Sequence, residues 1–305
     1  MKTTSEPIVF FGSGPVAAES LRLLAEDFEI EAVITKPRPA HHHGPVPVLE
    51  LAQELGLKTH TAENRKALNA LFEELRLESR LGILIDFGII ISQAIINYFP
   101  LGIINSHFSI LPEWRGADPI TFSVLSGQES TGVSLMLLVE AMDEGQLLSY
   151  GEYELPADIT TPRLTHDLTY LSNGLLEGVI PAYLAGDIKL APQSVTGREV
   201  SYSRKLTKED GVMDWQKPAN HLEREIRAYI EWPKSRAQLA TVEAIVTQAH
   251  VVDASGTPGK TTIIGKQPVV YCGEQALALD RLKPAGKQEM TGQAFLAGYK
   301  KAFLG

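Results

Sequence analysis

A single cysteine, Cys272, stands among the 305 residues, so the chain can form neither an internal disulfide nor a multi-cysteine zinc site. That scarcity fits a reducing compartment, and the cytoplasm is the expected location. No signal peptide is expected. Met1 is followed by Lys2, Thr3, Thr4, Ser5 and Glu6 and then by a strand-like run, without a basic n-region and a long apolar stretch. A membrane span is not expected either. The most apolar segment, Leu81 to Ile104, is broken by Asp86, Ser92, Gln93, Asn97 and Pro100, and falls short of the roughly 18 uninterrupted apolar residues that a spanning helix needs. It reads as buried core. Positive charge is scarce, with a formal net charge of -9, which speaks against a polyanionic partner for the chain at large. The distribution qualifies that: residues 201–305 hold 15 Lys and Arg against 11 Asp and Glu, so the acidic excess lies in the first 200 residues and the last third can face a polyanion. There is no internal repeat and no low-complexity tract beyond His41, His42 and His43. Adjacent histidines rarely converge on one ion without further ligands, so this run reads as solvated loop and no metal site is expected.

What is present is the composition of a globular protein, 44% hydrophobic and 21% charged, at a length that suggests two domains. Pro7 to Gly12 reads as a buried strand, Pro15 to Asp27 as a helix and Ile30 to Thr35 as a second strand. Helical spacing recurs over Val46 to Leu55, Asn64 to Leu75 and Ser92 to Phe99, with strand candidates at Leu81 to Ile85 and Gly102 to Asn105. Alternation of this kind predicts an α/β fold with a doubly wound, mostly parallel, Rossmann-like sheet. Gly132 to Val139 and Gly151 to Leu155 add strands, and Thr161 to Leu184 reads as one long helix. The texture then becomes irregular. From Ser235 onward, short β-rich runs (Ala244 to Val252, Lys260 to Ile264, Pro268 to Cys272, Leu277 to Leu282) separated by glycine turns predict a small C-terminal β-barrel, OB-like. The expected boundaries are a first domain over 1–188, a linker over 189–204 and a second domain over 205–305.

Two glycine motifs need weighing. Gly12-Ser13-Gly14-Pro15-Val16-Ala17 has the G-x-G-x-x-A form of a dinucleotide fingerprint between strand and helix. An acidic residue should then end the second strand to hold a ribose, but that strand runs into Thr35, Lys36 and Pro37. A tight turn is the better reading. Gly259-Lys260-Thr261 lacks the upstream glycine of a phosphate loop, with Ala254 in its place, and reads as a hairpin turn.

Asn105, Ser106 and His107 follow the strand begun at Gly102, at a carboxyl end where open α/β sheets place their ligands. In an alternating strand Asn105 and His107 share a face, so a carboxamide and an imidazole can converge on one centre. Asp143, after the strand ending at Val139, could bring a carboxylate to the same crevice. As a pattern alone, an Asn, a His and a distant Asp leave a structural role open beside a catalytic one.

The stretch Asn105-Ser106-His107-Phe108-Ser109-Ile110-Leu111-Pro112-Glu113-Trp114-Arg115-Gly116-Ala117-Asp118-Pro119 resembles the N-x-H-x-S-L-L-P-x-W/Y-R-G-x-x-P signature of folate-dependent formyltransferases. Thr131-Gly132-Val133-Ser134 and Asp143-Glu144-Gly145 are similar to that family's T-G-V-T strand and D-x-G turn. Lys205-Leu206-Thr207, Asp214-Trp215, Trp232-Pro233 and Leu282-Lys283-Pro284-Ala285-Gly286-Lys287 resemble the second domain of the members whose acceptor is methionyl-initiator-tRNA. The resemblance implies formyl transfer from 10-formyltetrahydrofolate, with Asn105, His107 and Asp143 catalytic. It further implies a folate pocket walled by Phe87, Gly88, Ile89, Ile90 and Ile91 and by Val139, Glu140, Ala141 and Met142. Ser109, Ile110, Leu111 and Pro112 would touch the folate from the other side.

Candidate tRNA contacts are Lys36 and Arg38 in the loop after the second strand, and Lys205, Lys208, Arg281, Lys283 and Lys287 in the C-terminal domain. No protein partner is implied. The sequence departs from the family in three respects: the basic loop after the second strand is short, Glu113 stands where Arg or Lys is common, and Asp118 stands where a small residue is frequent. Competing expectations are an amino-sugar nucleotide as acceptor, water as acceptor in a hydrolase of 10-formyltetrahydrofolate, and a non-catalytic RNA- or folate-binding protein.

Overall fold

The computed structural model describes residues 6–40 and 44–304. His41 to His43 lie outside the described residues. Chain order begins β1 (Ile8–Phe11), α1 (Pro15–Asp27), β2 (Ile30–Thr35), α2 (Pro47–Glu54), β3 (Thr59–Thr61), α3 (Arg65–Glu74), β4 (Gly82–Leu84), α4 (Gln93–Ile96) and β5 (Ile103–His107). It continues with β6 (Arg115–Gly116), α5 (Pro119–Ser126), β7 (Ser130–Leu137), β8 (Leu147–Glu154), α6 (Thr161–Ala185) and β9 (Tyr202–Ser203). The remainder is α7 (Ala219–Ala228), β10 (Ser235–Leu239), β11 (Val242–Val252), β12 (Thr261–Ile264), β13 (Gln267–Tyr271), β14 (Ala276–Pro284), β15 (Met290–Thr291) and α8 (Gly292–Leu304).

The residues divide into two compact units. The first holds 1–116, 130–154 and 165–202; the second holds 117–129, 155–164 and 203–305. The first is built on a seven-stranded sheet of order β3-β2-β1-β4-β5-β7-β8. Its β1 is Ile-Val-Phe-Phe, buried at every position, because a central parallel strand is covered on both faces. The strands from β3 to β5 run parallel, whereas β7 pairs antiparallel with both β5 and β8, so the sheet is mixed. One face carries an aromatic cluster in which Phe11 meets Phe72, Phe87 and Phe99 at ring separations of 6.0, 5.7 and 5.9 Å. The expected start of β8 at Gly151 moves back to Leu147, and β7 spans Ser130–Leu137 instead of Gly132 to Val139.

The second unit contains an antiparallel six-stranded sheet of order β10-β11-β14-β13-β12, with β15 on β14. Along β11, buried Ala244 and Val246 alternate with accessible neighbours, the mark of a sheet with one dry face, and a register shift at Gln248 returns Ala249 to the buried side. That face packs under Leu222 and Ile226 of α7 and Phe295 and Phe303 of α8. Helix α8 corrects the expectation of β structure to the end of the chain. Gly259 is likewise no hairpin turn: it lies in the connection from β11 to β12, which are not neighbours in the sheet. Among the described residues no helix is long and apolar enough to cross a membrane.

Candidate active site

Strand β5 sets the geometry. Leu84 of β4 stands opposite Asn105, while Met136 and Ser134 of β7 stand opposite Asn105 and His107. Alternation sends Ser106 to one face, where its hydroxyl shares a 2.7 Å hydrogen bond with Ser172 of α6. Asn105 and His107 go to the other, and both are buried.

The loop after β5 is held by side chains and, at β6, by pairing with β9. Ser134 donates to the Ser109 carbonyl at 2.8 Å and accepts from the Leu111 amide at 2.9 Å. Ser109 itself donates to the Glu113 carbonyl at 2.5 Å, and the Leu111–Pro112 peptide is cis. Ser201 accepts from the Trp114 amide on its hydroxyl and from the Arg115 amide on its carbonyl. So fixed, the loop brings the Trp114 carbonyl to 2.9 Å from His107 Nε2. A carbonyl oxygen can only accept, so Nε2 carries the hydrogen, and Nδ1 is the edge turned toward Asp143.

Asp143 reaches this edge from the loop between β7 and β8. Its Oδ1 lies 3.8 Å from His107 Nδ1 and accepts from Asn105 Nδ2 at 3.4 Å. Its Oδ2 accepts from the Gly116 amide at 2.7 Å. The three side chains named in the sequence are therefore brought together, within hydrogen-bond reach or just beyond it. Asp143 adopts φ 52°, the left-handed region, which costs a residue with a side chain about 1 kcal/mol. The Arg115 guanidinium points elsewhere, to Glu144 at 3.1 Å and to Gln193 at 2.7 Å.

The residues expected to wall a folate pocket separate into two sets. Phe87, Ile91, Ile110 and Leu111 are buried in protein core, Phe87 within the aromatic cluster, and Ser109 and Pro112 are buried as well. Ile90 and Met142 are 68% and 64% exposed, and Val139, Glu140 and Ala141 are also exposed. Gly88, at φ 65°, leaves room for the Lys36 ammonium, which a Cβ would meet at 3.0 Å. Lys36 lines a cavity of about 650 Å³ with Ser13, Glu63 and Asp86. The Gly12-Ser13-Gly14 turn packs too tightly for side chains: a Cβ on Gly14 would fall 1.9 Å from Asp86 Oδ2, and one on Gly12 would fall 2.6 Å from the Ala17 Cβ. Packing accounts for Gly12, which also faces the Ile85 carbonyl, whereas at Gly14 the approach is to the Asp86 side chain alone.

Glu113 sits half-buried, with Oε2 out of reach of any hydrogen-bond donor among the described residues. Burial pushes its carboxyl above the usual range and nearby Glu152 adds to this, while the Arg198 guanidinium, 3.7 Å from Oε1, opposes it. Of the basic residues singled out, Arg38 pairs with Glu50 at 2.6 Å and Arg281 with Glu289 at 2.7 Å. Lys205, Lys208, Lys283 and Lys287 are exposed.

Sequence reasoning missed Ser134, Gln193 and Ser201, which hold the site loops. Ser134 had a signal, since it closes the Thr131-Gly132-Val133-Ser134 stretch, though its place opposite His107 appears only when the two strands are paired. Gln193 and Ser201 had none, since a polar residue in an irregular stretch reads as solvated.

A β-α-β sheet with an Asn, a His and an Asp gathered at β5, joined to an antiparallel C-terminal sheet, defines a class, and the chain belongs to it: the formyl transferase family, whose profile matches residues 8–178 and whose C-terminal domain profile matches residues 205–300. Within the class it is similar to curated methionyl-tRNA formyltransferases. The protein from Chloroflexus aggregans is 35% identical over 304 residues, covering 95% of this chain and 96% of its own. That from Pseudoalteromonas translucida is 34% identical over 301 residues, covering 95% and 93%. Among solved structures, the N-formyltransferase from Helicobacter canadensis in complex with folinic acid and dTDP-3-aminofucose aligns with a TM-score of 0.68 over 92% of this chain and 99% of its own. At 16% identity that likeness shows the fold.

Proposed function

We propose that this chain transfers the formyl group of 10-formyltetrahydrofolate to the α-amino group of methionyl-initiator-tRNA, for translation initiation in the cytoplasm, with Asn105, His107 and Asp143 as the reacting residues and no metal. One observation carries the reading. Asp143, distant in sequence, converges on Asn105 and His107 of β5 in a chain that matches methionyl-tRNA formyltransferases over 95% of its length.

The chemistry asks for three things. A neutral amine must add to the formyl carbon, the electron pair displaced onto oxygen must be stabilised, and N10 must leave with a proton. Asn105 Nδ2 is a fixed donor for the oxyanion, a contact worth about 3 to 4 kcal/mol when preorganised. The His107 ring supplies the proton to the departing nitrogen. Asp143 takes up the proton lost by the attacking amine and hands it to the imidazole edge it faces. The donor's ring system covers Ile90, Val139 and Met142, whose exposure leaves apolar surface for it.

We read the C-terminal sheet as an OB-like barrel that carries RNA contacts together with Lys36 and Arg38. Arg38 and Arg281 would then exchange a carboxylate for a phosphate. Lys283, exposed on β14, gives the test of this part: Lys283→Glu weakens tRNA binding more at low salt than at high salt. Equal loss at both ionic strengths would remove Lys283 from the RNA footprint. The reading as a whole is tested by offering methionyl-initiator-tRNA, uncharged tRNA and amino-sugar nucleotides as acceptors with 10-formyltetrahydrofolate. Formyl-methionyl-tRNA as the dominant product supports it. Product from an amino sugar alone keeps the site and overturns the acceptor, and deformylation without any amine points to a hydrolase.

A further inference from the structure

The segment between α6 and β9 does more than connect. Ala191 bridges Leu147 with paired backbone hydrogen bonds of 2.8 and 3.0 Å, and a 3-10 turn over Gln193–Thr196 follows. Gln193 is 7% exposed and uses both ends of its carboxamide. Nε2 donates to the Asp143 carbonyl at 2.7 Å and to the Gly145 carbonyl at 3.0 Å. Oε1 accepts from Arg115 Nη2 at 2.7 Å and Nε at 3.3 Å. Three residues on, Thr196 Oγ1 donates to the Leu111 carbonyl at 2.8 Å. One short turn thus grips the loop after β5 at two points and the Asp143 turn at two more.

We propose that Gln193 is a positioning residue for formyl transfer: its carboxamide locks the backbone of Asp143 against the loop that carries Trp114 and Arg115, and so fixes the carboxylate on Asn105 and His107. The inference rests on the reading of Asp143 as a reacting residue. Its physical basis is the conformation of that residue. Asp143 is held at φ 52°, and relaxation toward the ordinary helical or extended regions would swing its carboxylate away from Asn105 Nδ2 and the Gly116 amide. The contact that resists this rotation is made to the carbonyl of Asp143 itself, by a side chain that is buried and whose other end is anchored on a guanidinium. Arg115 is in turn fixed by Glu144, the residue after Asp143, so the clip closes on itself. Gln193 touches none of the reacting side chains; it acts on the Asp143 backbone directly and, by way of Arg115, on the loop whose Gly116 amide also holds the Asp143 carboxylate, so its effect should fall chiefly on the placement of Asp143.

A double-mutant cycle on the full chain tests this, with formyl transfer from 10-formyltetrahydrofolate to methionyl-initiator-tRNA as the readout. Gln193→Leu keeps the volume and removes every hydrogen bond of the side chain. It is expected to lower kcat by roughly 10- to 100-fold, the effect of a misplacement of about 1 Å, with KM for both substrates nearly unchanged. Combined with Asp143→Ala, it should cost almost nothing beyond Asp143→Ala alone, because the group it positions is gone. Multiplication of the two losses, or a normal kcat in Gln193→Leu, would overturn the proposal. If Gln193→Leu does not fold, Gln193→Glu, which keeps the length and loses both donors, carries the same two expectations and the same overturning results. Normal turnover in Asp143→Ala by itself would strike the underlying reading of the site, an outcome separate from either.

Discussion

His107→Ala is expected to lower kcat by on the order of 10³-fold, within the range for a positioned proton donor, while the chain stays folded. The ring's polar contacts are local: Nε2 on the Trp114 carbonyl and Nδ1 facing Asp143. Removing it leaves the loop tied by Ser109, Ser134 and Ser201, so the loss should fall on the chemical step and not on the fold. Steady-state turnover beside a thermal unfolding curve separates the two. Near-normal turnover in a folded His107→Ala protein would remove the imidazole from the mechanism. A collapsed unfolding midpoint would instead make it a structural histidine.

Phe11→Ala is expected to have the largest effect on stability. Phe11 is fully buried and touches three other aromatic rings, so truncation loses the transfer of the ring and leaves a cavity among partners that are themselves locked in place. The cost is about 3 to 5 kcal/mol, a large part of the roughly 5 to 15 kcal/mol that holds a typical native protein together. Urea unfolding followed by tryptophan fluorescence measures it. Ile90→Ala is the control: Ile90 is 68% exposed, and its removal should shift stability by less than about 0.5 kcal/mol. Similar losses for the two would mean that the aromatic cluster is not the packing centre of the first unit.

The contrast between Phe11 and Ile90 also shows where the sequence was readable. Alternation of strand and helix up to β5 was legible because each period is local, and the pairing of Asn105 with His107 on one face follows from the two-residue repeat of a strand. Asp143 was legible as a residue type in a motif, but its aim was not, since that depends on a left-handed backbone held from Gln193. Within Phe87 to Ile91, composition could not say which side chains enter the core, because a run of apolar residues in a loop carries no period. Helix α8 was missed although Phe295, Tyr299 and Phe303 recur every fourth residue, Phe295 stacking on Tyr299 at 5.1 Å and meeting Phe303 edge-on at 5.7 Å. The short β-like runs before it masked a helical spacing that was there. The antiparallel turn of β7 was not legible either: a strand's sequence does not state its direction.

Ile90, Val139 and Met142 are exposed to water. A ligand that seats its rings on them strips hydration from apolar surface while its polar edge exchanges one set of hydrogen bonds for another. The calorimetric mark of that event is a negative heat-capacity change: titrations with tetrahydrofolate at several temperatures should give a binding enthalpy that grows more exothermic on warming. An enthalpy flat with temperature would place the rings elsewhere. The same three side chains make the free protein the stickier form, so saturation with the folate should suppress self-association as well as permit catalysis.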